Sequence, residues 1–255
     1  MTHALLLAML VGCGDDGGSM ADAFVSQGPE YNLSCLNNAV TTVTNPISFG
    51  GLLLDLTSLT TAPIASGEMR TYTVADDTMV GMTTTDMDGK YTYDVTTTGT
   101  PARVYTDVTA TGFVPSRTYV NIAPFISHTD GITAAVQQGG LDALATALGA
   151  TLDPAKGVLE VWSNDCSKGE LPGATVTLDS AATQWAMFGG VGVWLPRETT
   201  LGHPSNAGIG SIAGTVNVTP GVHQVTVTSG SLVLGPYSVK VVANQWTVIH
   251  IFPGI

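Results

Sequence analysis

Three cysteines offer the clearest covalent chemistry in this sequence of 255 residues. Cys13 directly follows a short apolar run over residues 4–12. This run is about nine residues long, whereas a membrane-spanning helix needs roughly 20. The small residue Gly12 lets a signal peptidase approach the backbone closely, and the thiol of Cys13 is then available for acylation. The alternative interpretation is an ordinary N-terminus in which the cysteine occurs by chance.

The segment around this cysteine resembles a known bacterial processing signal. Residues 10–13 read Leu-Val-Gly-Cys, which is similar to the lipobox of bacterial lipoproteins. The resemblance implies a signal peptide over residues 1–12, an acylated Cys13 and a polar, Gly-rich tether that opens the lead-in over residues 13–44. It also implies a bacterial cell-envelope location at the outer membrane, on its periplasmic or surface face.

The other two cysteines, Cys35 and Cys166, form an even pair in a compartment that permits disulfides. We therefore predict a Cys35–Cys166 disulfide, with two unpaired thiols as the alternative. Neither a CxxC motif nor a Cys/His spacing typical of zinc sites occurs. The sequence predicts no metal and no cofactor.

Other catalytic arrangements find little support in the sequence. There is no G-x-S-x-G motif for a serine hydrolase. His203, in a stretch with two prolines, is the most plausible catalytic histidine by its expected exposure, and the alternative is an ordinary loop residue. The acidic stretch of residues 86–89 (Asp-Met-Asp-Gly) could suggest calcium, but it lacks the EF-hand positions of Gly and Glu. We interpret it as a β-turn that Gly89 completes.

Two tryptophans could bind a ligand without doing chemistry. Trp185 and Trp194 flank a Gly-Gly pair, and an exposed indole packs well against the apolar face of a sugar ring. We therefore consider them as a ligand platform. The alternative is that both rings fill the core of a small β-sandwich.

Composition restricts the class of protein further. The formal net charge is −12, from 20 acidic and 8 basic residues, and no basic patch is present. Nucleic acid is therefore not an expected partner. Short alternating apolar runs separated by Gly, Pro, Asp and Asn predict a mostly β protein. The only convincing helical stretch covers residues 129–149, with Asp130 as its N-cap.

The alternation predicts a series of short strands on both sides of this helix. They cover residues 47–54, 67–74, 79–85, 90–96, 102–110 and 113–120, and then 158–162, 174–178, 190–194, 211–218, 222–228, 237–242 and 245–252.

The two strand-rich halves share short motifs. Residues 51–55 (GLLLD) and 84–91 (TTDMDGKY) in the first half, and 157–161 (GVLEV) and 171–178 (LPGATVTL) in the second, resemble carboxypeptidase regulatory-like domains. This family is also called transthyretin-like or prealbumin-like. The resemblance implies two small transthyretin-like or Ig-like β-sandwiches, and in this family such modules are commonly non-catalytic.

The resulting layout has five parts: a signal peptide over 1–12, a tether and lead-in over 13–44, a first β-sandwich over 45–125, a helical connector over 126–156 and a second β-sandwich over 157–255.

We therefore expect a non-enzymatic, lipid-anchored cell-envelope protein that binds or scaffolds through its β-sandwiches. Its expected partners are the membrane, through the anchor, and an unidentified envelope protein or glycan. A carbohydrate-binding accessory protein is the alternative, and a hydrolase with an unrecognised site is the third possibility.

Overall fold

The computed structural model describes residues 42–57, 62–121, 127–166, 171, 174–179, 184–190, 193–197 and 212–253. These residues fall within one compact unit. The strands of the first half are β1 Ile47–Asp55, β2 Glu68–Thr73, β3 Met79–Thr84, β4 Lys90–Val95, β5 Val104–Thr109, β6 Ser116–Val120 and β7 His128–Ala135.

One helix, α1 Gln138–Ala147, follows β7. The remaining strands are β8 Gly157–Ser163, β9 Thr175–Leu178, β10 Trp185–Gly190, β11 Val193–Arg197, β12 Ile212–Val218, β13 Gly221–Ser229, β14 Leu232–Val241 and β15 Trp246–Ile251. The mostly β fold class is confirmed.

The strands form three sheets, the largest of which contains strands of both halves. Its nine strands run in the order β11-β10-β12-β8-β15-β6-β5-β2-β3, and two three-stranded sheets run β4-β1-β7 and β14-β13-β9. The halves join where β15 pairs in parallel with β6, from Trp246 opposite Ser116 to His250 opposite Val120. A single sheet therefore runs continuously through both halves.

The first sandwich forms where the sheet β4-β1-β7 packs on strands β2 and β5. Leu53 of β1 and Tyr91 of β4 share a buried cluster with Met69 of β2 and Val108 of β5. Because side chains alternate along a strand, Met69 and Val108 lie on one face of the nine-stranded sheet, while Tyr105 lies on the other.

The second sandwich uses that other face. Val225 and Val227 of β13 pack there against Leu159 of β8 and Ile249 of β15, in a core that also includes Tyr105 of the first half. The two small sheets thus cover opposite faces of the large one.

Helix α1 covers the remaining part of the face used by the first sandwich. Leu141 and Leu144 belong to one buried cluster with Val158 of β8 and Trp246 of β15, and the helix contacts β11 and β12, so it covers the part of the sheet from β11 to β15. We call this region of the sheet the helix face. In the described part of the chain, no helix has the length and apolarity needed to cross a membrane.

Two local predictions are wrong. The predicted helix over 129–149 begins at Gln138, because His128–Ala135 forms strand β7 in parallel pairing with β1. Within the predicted strand over 190–194, Gly190 ends strand β10 and Val193 begins the antiparallel strand β11. The domain boundaries at 45–125, 126–156 and 157–255 stay predictions.

Candidate functional site

The predicted lipidation site and one predicted disulfide cysteine, Cys13 and Cys35, lie outside the described residues. Cys166 follows β8, and its Sγ lies 3.5 Å from the carbonyl oxygen of Pro253. Its pairing with Cys35 stays a prediction.

The two tryptophans of the predicted platform lie on neighbouring strands but on opposite faces of the large sheet. Trp185 is 3% exposed and belongs to the core that the second sandwich encloses. Trp194 is half-buried and packs on the helix face. A Cβ at Gly214 would lie 2.8 Å from the Trp194 ring, so this indole rests directly on β12. The two rings therefore form no common platform, and the carbohydrate-binding alternative rests on Trp194 alone.

The acidic stretch of residues 86–89 is a tight turn. Gly89 has φ +71°, which few other residues adopt without strain. Asp86 Oδ1 accepts hydrogen bonds from the backbone N–H groups of Asp88 and Lys90, at 2.9 and 2.8 Å. The carboxylate of Asp86 therefore satisfies the backbone of the turn, as expected for a structural role.

His223 and His250 are held in ways that disfavour general-base chemistry. His223 Nε2 donates to the carbonyl oxygen of Thr219 at 2.7 Å, and Nδ1 lies 2.9 Å from Asp179 Oδ1. This hydrogen bond lowers the pKa of Asp179. His250 packs against Trp162, with ring centroids 4.8 Å apart, and burial lowers its pKa to about 4. His203 lies outside the described residues.

The most unusual titratable group is Glu160, at the centre of the helix face. It is 4% exposed and occupies the middle of β8. Trp162 Nε1 donates to its Oε1 at 2.5 Å, and Trp246 Nε1 donates to its Oε2 at 3.1 Å. Among the described residues, no lysine or arginine forms an ion pair with this carboxylate.

Two opposing effects act on the ionisation of Glu160. Burial disfavours the charged form and raises the pKa of Glu160 to about 7, while the two indole donors favour the charged form and reduce this rise. Indole N–H groups only donate, so each carboxylate oxygen is held as an acceptor. Because Glu160 is only 4% exposed, its carboxylate is not accessible to a substrate in solution.

A second polar group connects the two sandwiches. Arg117 of β6 forms a bidentate ion pair with Asp107 of β5, with both N–O distances at 2.7 Å. The Arg117 guanidinium also lies 4.1 Å from the centroid of the Tyr105 ring. Arg117 is 8% exposed and the Asp107 side chain 24%, so a buried cation pairs here with a half-buried counter-ion.

This cluster extends across the junction. Tyr105 donates its hydroxyl to Asp77 Oδ1 at 2.9 Å, and Lys240 of β14 donates to Asp77 Oδ2 at 3.0 Å. Both hydrogen bonds lower the pKa of Asp77, and the one from Lys240 has the larger effect. The backbone N–H of Lys240 also donates to the Tyr119 hydroxyl at 3.2 Å. We call this set the junction cluster: Asp77, Tyr105, Asp107, Arg117, Tyr119 and Lys240.

The contacts of the described polar groups thus support a structural role more clearly than a catalytic one. In the ranges that the structure describes, no three His, Cys, Asp or Glu side chains are grouped as a metal site. Sequence reasoning missed both Glu160 and the junction cluster. The available signal for Glu160 was a lone acid within the apolar stretch of residues 157–162.

Comparison with known proteins identifies no family. No family model and no curated protein matches the chain. Among solved structures, it is similar to the TIE protein of Bacillus anthracis, with 14% identity and TM-score 0.28 over 81% of this chain and 33% of that chain. This chain thus spans about a third of the TIE protein.

Two further solved structures show the same level of similarity. The shaft pilin SpaA of Lactobacillus rhamnosus GG matches with 10% identity and TM-score 0.29 over 82% of this chain and 98% of that chain. The 3-chlorocatechol 1,2-dioxygenase of Rhodococcus opacus 1CP matches with 12% identity and TM-score 0.28 over 45% and 69%. At these TM-scores the similarities indicate neither an activity nor a partner.

Proposed function

We propose that this chain is a non-enzymatic scaffolding protein of the bacterial cell envelope, anchored through an acylated Cys13. The observation that supports the scaffolding role is the parallel pairing of β6 with β15. This pairing joins the strands of both halves in one nine-stranded sheet, which the two sandwiches share. A shared sheet transmits load without a hinge, because neighbouring strands are joined by rows of backbone hydrogen bonds.

The junction cluster supports the same role. Its ion pair between Asp77 and Lys240 joins the turn after β2 to β14, and therefore connects the two sandwiches directly. Exposed ion pairs add little by themselves. Here the pair adjoins the ion pair of buried Arg117 with half-buried Asp107, and loss of Arg117 would leave the Asp107 carboxylate without its partner.

The absence of enzymatic activity is also a proposal. It is supported by the state of the strongest acid and base candidates. Glu160 is 4% exposed, and Nε2 of His223 is occupied by a backbone carbonyl. A broad esterase and peptidase panel tests this point, and turnover that disappears on mutation of a described side chain would contradict it.

The anchor is supported by the sequence of residues 10–13. One acyl chain binds a membrane reversibly, whereas two or more give stable attachment, at about 0.8 kcal/mol per buried CH₂. We expect the native protein to partition into detergent and the Cys13→Ser variant to move to the aqueous phase. Equal partitioning of the two proteins would contradict the proposal.

We further propose that Cys35 bonds to Cys166 and ties the lead-in to the second sandwich. A closed loop of about 130 residues restricts the unfolded chain by up to roughly 4–5 kcal/mol. Alkylation without reductant followed by peptide mapping should recover the two cysteine peptides as one cross-linked species. Recovery of both as separately alkylated peptides would refute this pairing.

A further inference from the structure

Three exposed methionines lie in one hairpin, which β3 and β4 form. Met79 and Met82 of β3 are 51% and 54% exposed, and Met87 in the turn between the strands is 91% exposed. Methionine usually fills irregular space in a core. None of these three belongs to a buried cluster of the described residues, so core packing does not explain their presence.

A register shift at Val80, of the kind that a β-bulge produces, places two of these methionines on the same face of β3. Met79 lies opposite Tyr72 of β2 and Met82 lies opposite Arg70, so Val80 is the extra residue between them. Side chains alternate along a regular strand, so residues 79 and 82 would otherwise lie on opposite faces. Because Tyr72 and Arg70 are two residues apart on β2, the Cα atoms of the two methionines are about 7 Å apart.

The two thioether groups on this face are accessible to a ligand. In the part of the chain that the structure describes, the sulfurs of Met79 and Met82 take part in no hydrogen bond or ring contact. Both side chains are unbranched and have three rotatable bonds, so their sulfurs can converge on one ion from Cα atoms at this spacing. Arg70, opposite Met82, is paired with Glu68 at 2.5 Å, so its positive charge is compensated.

The ligand type decides which ion such a pair would bind. Thioether sulfur is a soft, neutral ligand that favours Cu(I), whereas calcium and magnesium bind oxygen ligands. Zinc prefers thiolate, imidazole and carboxylate ligands, and the hairpin of residues 79–95 contains neither cysteine nor histidine. The formal net charge of −12 also favours the approach of a cation.

We propose that Met79 and Met82 bind one Cu(I) ion between their sulfur atoms, at the surface of the first sandwich. The ion binds and leaves as Cu(I), so the step involves no electron transfer. The site gives the proposed scaffold a second, metal-binding role. It depends neither on acylation of Cys13 nor on the pairing of Cys35 with Cys166.

The test titrates silver nitrate into the full-length protein in chloride-free buffer, because Ag(I) shares the soft-ligand preference of Cu(I) and needs no reductant. N-ethylmaleimide first blocks any free thiol, and NMR follows the ¹³C-labelled ε-methyl groups of the methionines. Met79→Leu and Met82→Leu each remove one thioether at nearly constant volume. Met87→Leu removes the most exposed methionine of the same hairpin and is the matched control. Thermal melts verify that each variant folds.

We expect the signals of Met79 and Met82 to shift together and to saturate at one equivalent of Ag(I), while the Met87 signal stays unchanged. The Kd should rise at least about tenfold in each β3 variant and stay the same in Met87→Leu. Cu(I), added without oxygen, should compete with Ag(I), whereas Zn²⁺ should not. The proposal is overturned if neither β3 signal shifts, if Met87 shifts in parallel, if either β3 variant binds as the wild type does, or if Zn²⁺ competes. Because the thiols are blocked, none of these results bears on the anchor or the disulfide.

Discussion

The buried carboxylate of Glu160 makes the stability of this protein depend on pH in a calculable way. Its pKa rises from 4.5 to about 7 on folding, chiefly through burial. A pKa difference of one corresponds to about 1.4 kcal/mol, so the full rise corresponds to about 3 kcal/mol. Because the folded-state pKa is raised, this stability is present below pH 4.5 and is lost as the pH rises through 7.

Glu160→Gln isolates this effect, because the amide has nearly the same shape and does not titrate. Its oxygen accepts one indole N–H, but its NH₂ group faces the other donor, which costs about 1–3 kcal/mol at every pH. The free energy of unfolding of the wild type minus that of Glu160→Gln should therefore fall by about 3 kcal/mol between pH 4.5 and 8.

Denaturant unfolding of both proteins at several pH values measures this difference. His250, whose buried ring has a pKa lowered to about 4, titrates in both proteins, so its contribution cancels if the two groups are uncoupled. Glu68→Gln on β2 controls for the loss of one exposed negative charge. A difference that stays constant within about 0.5 kcal/mol across this range would refute the reasoning.

Three further sets of substitutions test individual parts of the structure. Gly89→Val should lower the free energy of unfolding by more than about 1 kcal/mol, because Gly89 has φ +71°, while Asp88→Asn should have a mild effect. The wild type should melt at the same temperature with calcium and with chelator, and a lower melting temperature in chelator would restore the calcium interpretation. Arg117→Ala should cost about 3 kcal/mol by stranding Asp107, and replacing both residues by Leu should cost less; equal costs in denaturant unfolding would show that the ion pair is not the cause. Trp185→Ala should lower the free energy of unfolding by about 3–5 kcal/mol, because the ring is a core residue. An unchanged free energy of unfolding would contradict the burial of this ring.

Local alternation was sufficient to predict most strands. In β13, Val225 and Val227 are buried while Thr226 and Thr228 between them are half-buried, a period of two that is visible in the sequence. The same holds for the turn at Gly89, where Asp and Gly have specific roles. Both features depend on neighbours in the chain, so the sequence alone could specify them.

The features that the sequence did not predict depend on distant pairing. Strand β7 contains Gly131 and a pair of alanines and lies within the stretch for which the sequence predicts a helix. It is a strand because it pairs with β1. Trp185 and Trp194 lie close in sequence, but the hairpin register places them on opposite faces of the sheet. Asp77 and Lys240 are 163 residues apart, so no local pattern could bring them together.

The most direct test of the anchored scaffold is the mass of the mature protein isolated from the membranes of its native cells. The account predicts a chain that begins at Cys13, with residues 1–12 removed and with acyl groups on that cysteine. Digestion should then yield an acylated N-terminal peptide in place of the unmodified one. A membrane-extracted protein that retains residues 4–12 and carries an unmodified thiol at Cys13 would contradict the account.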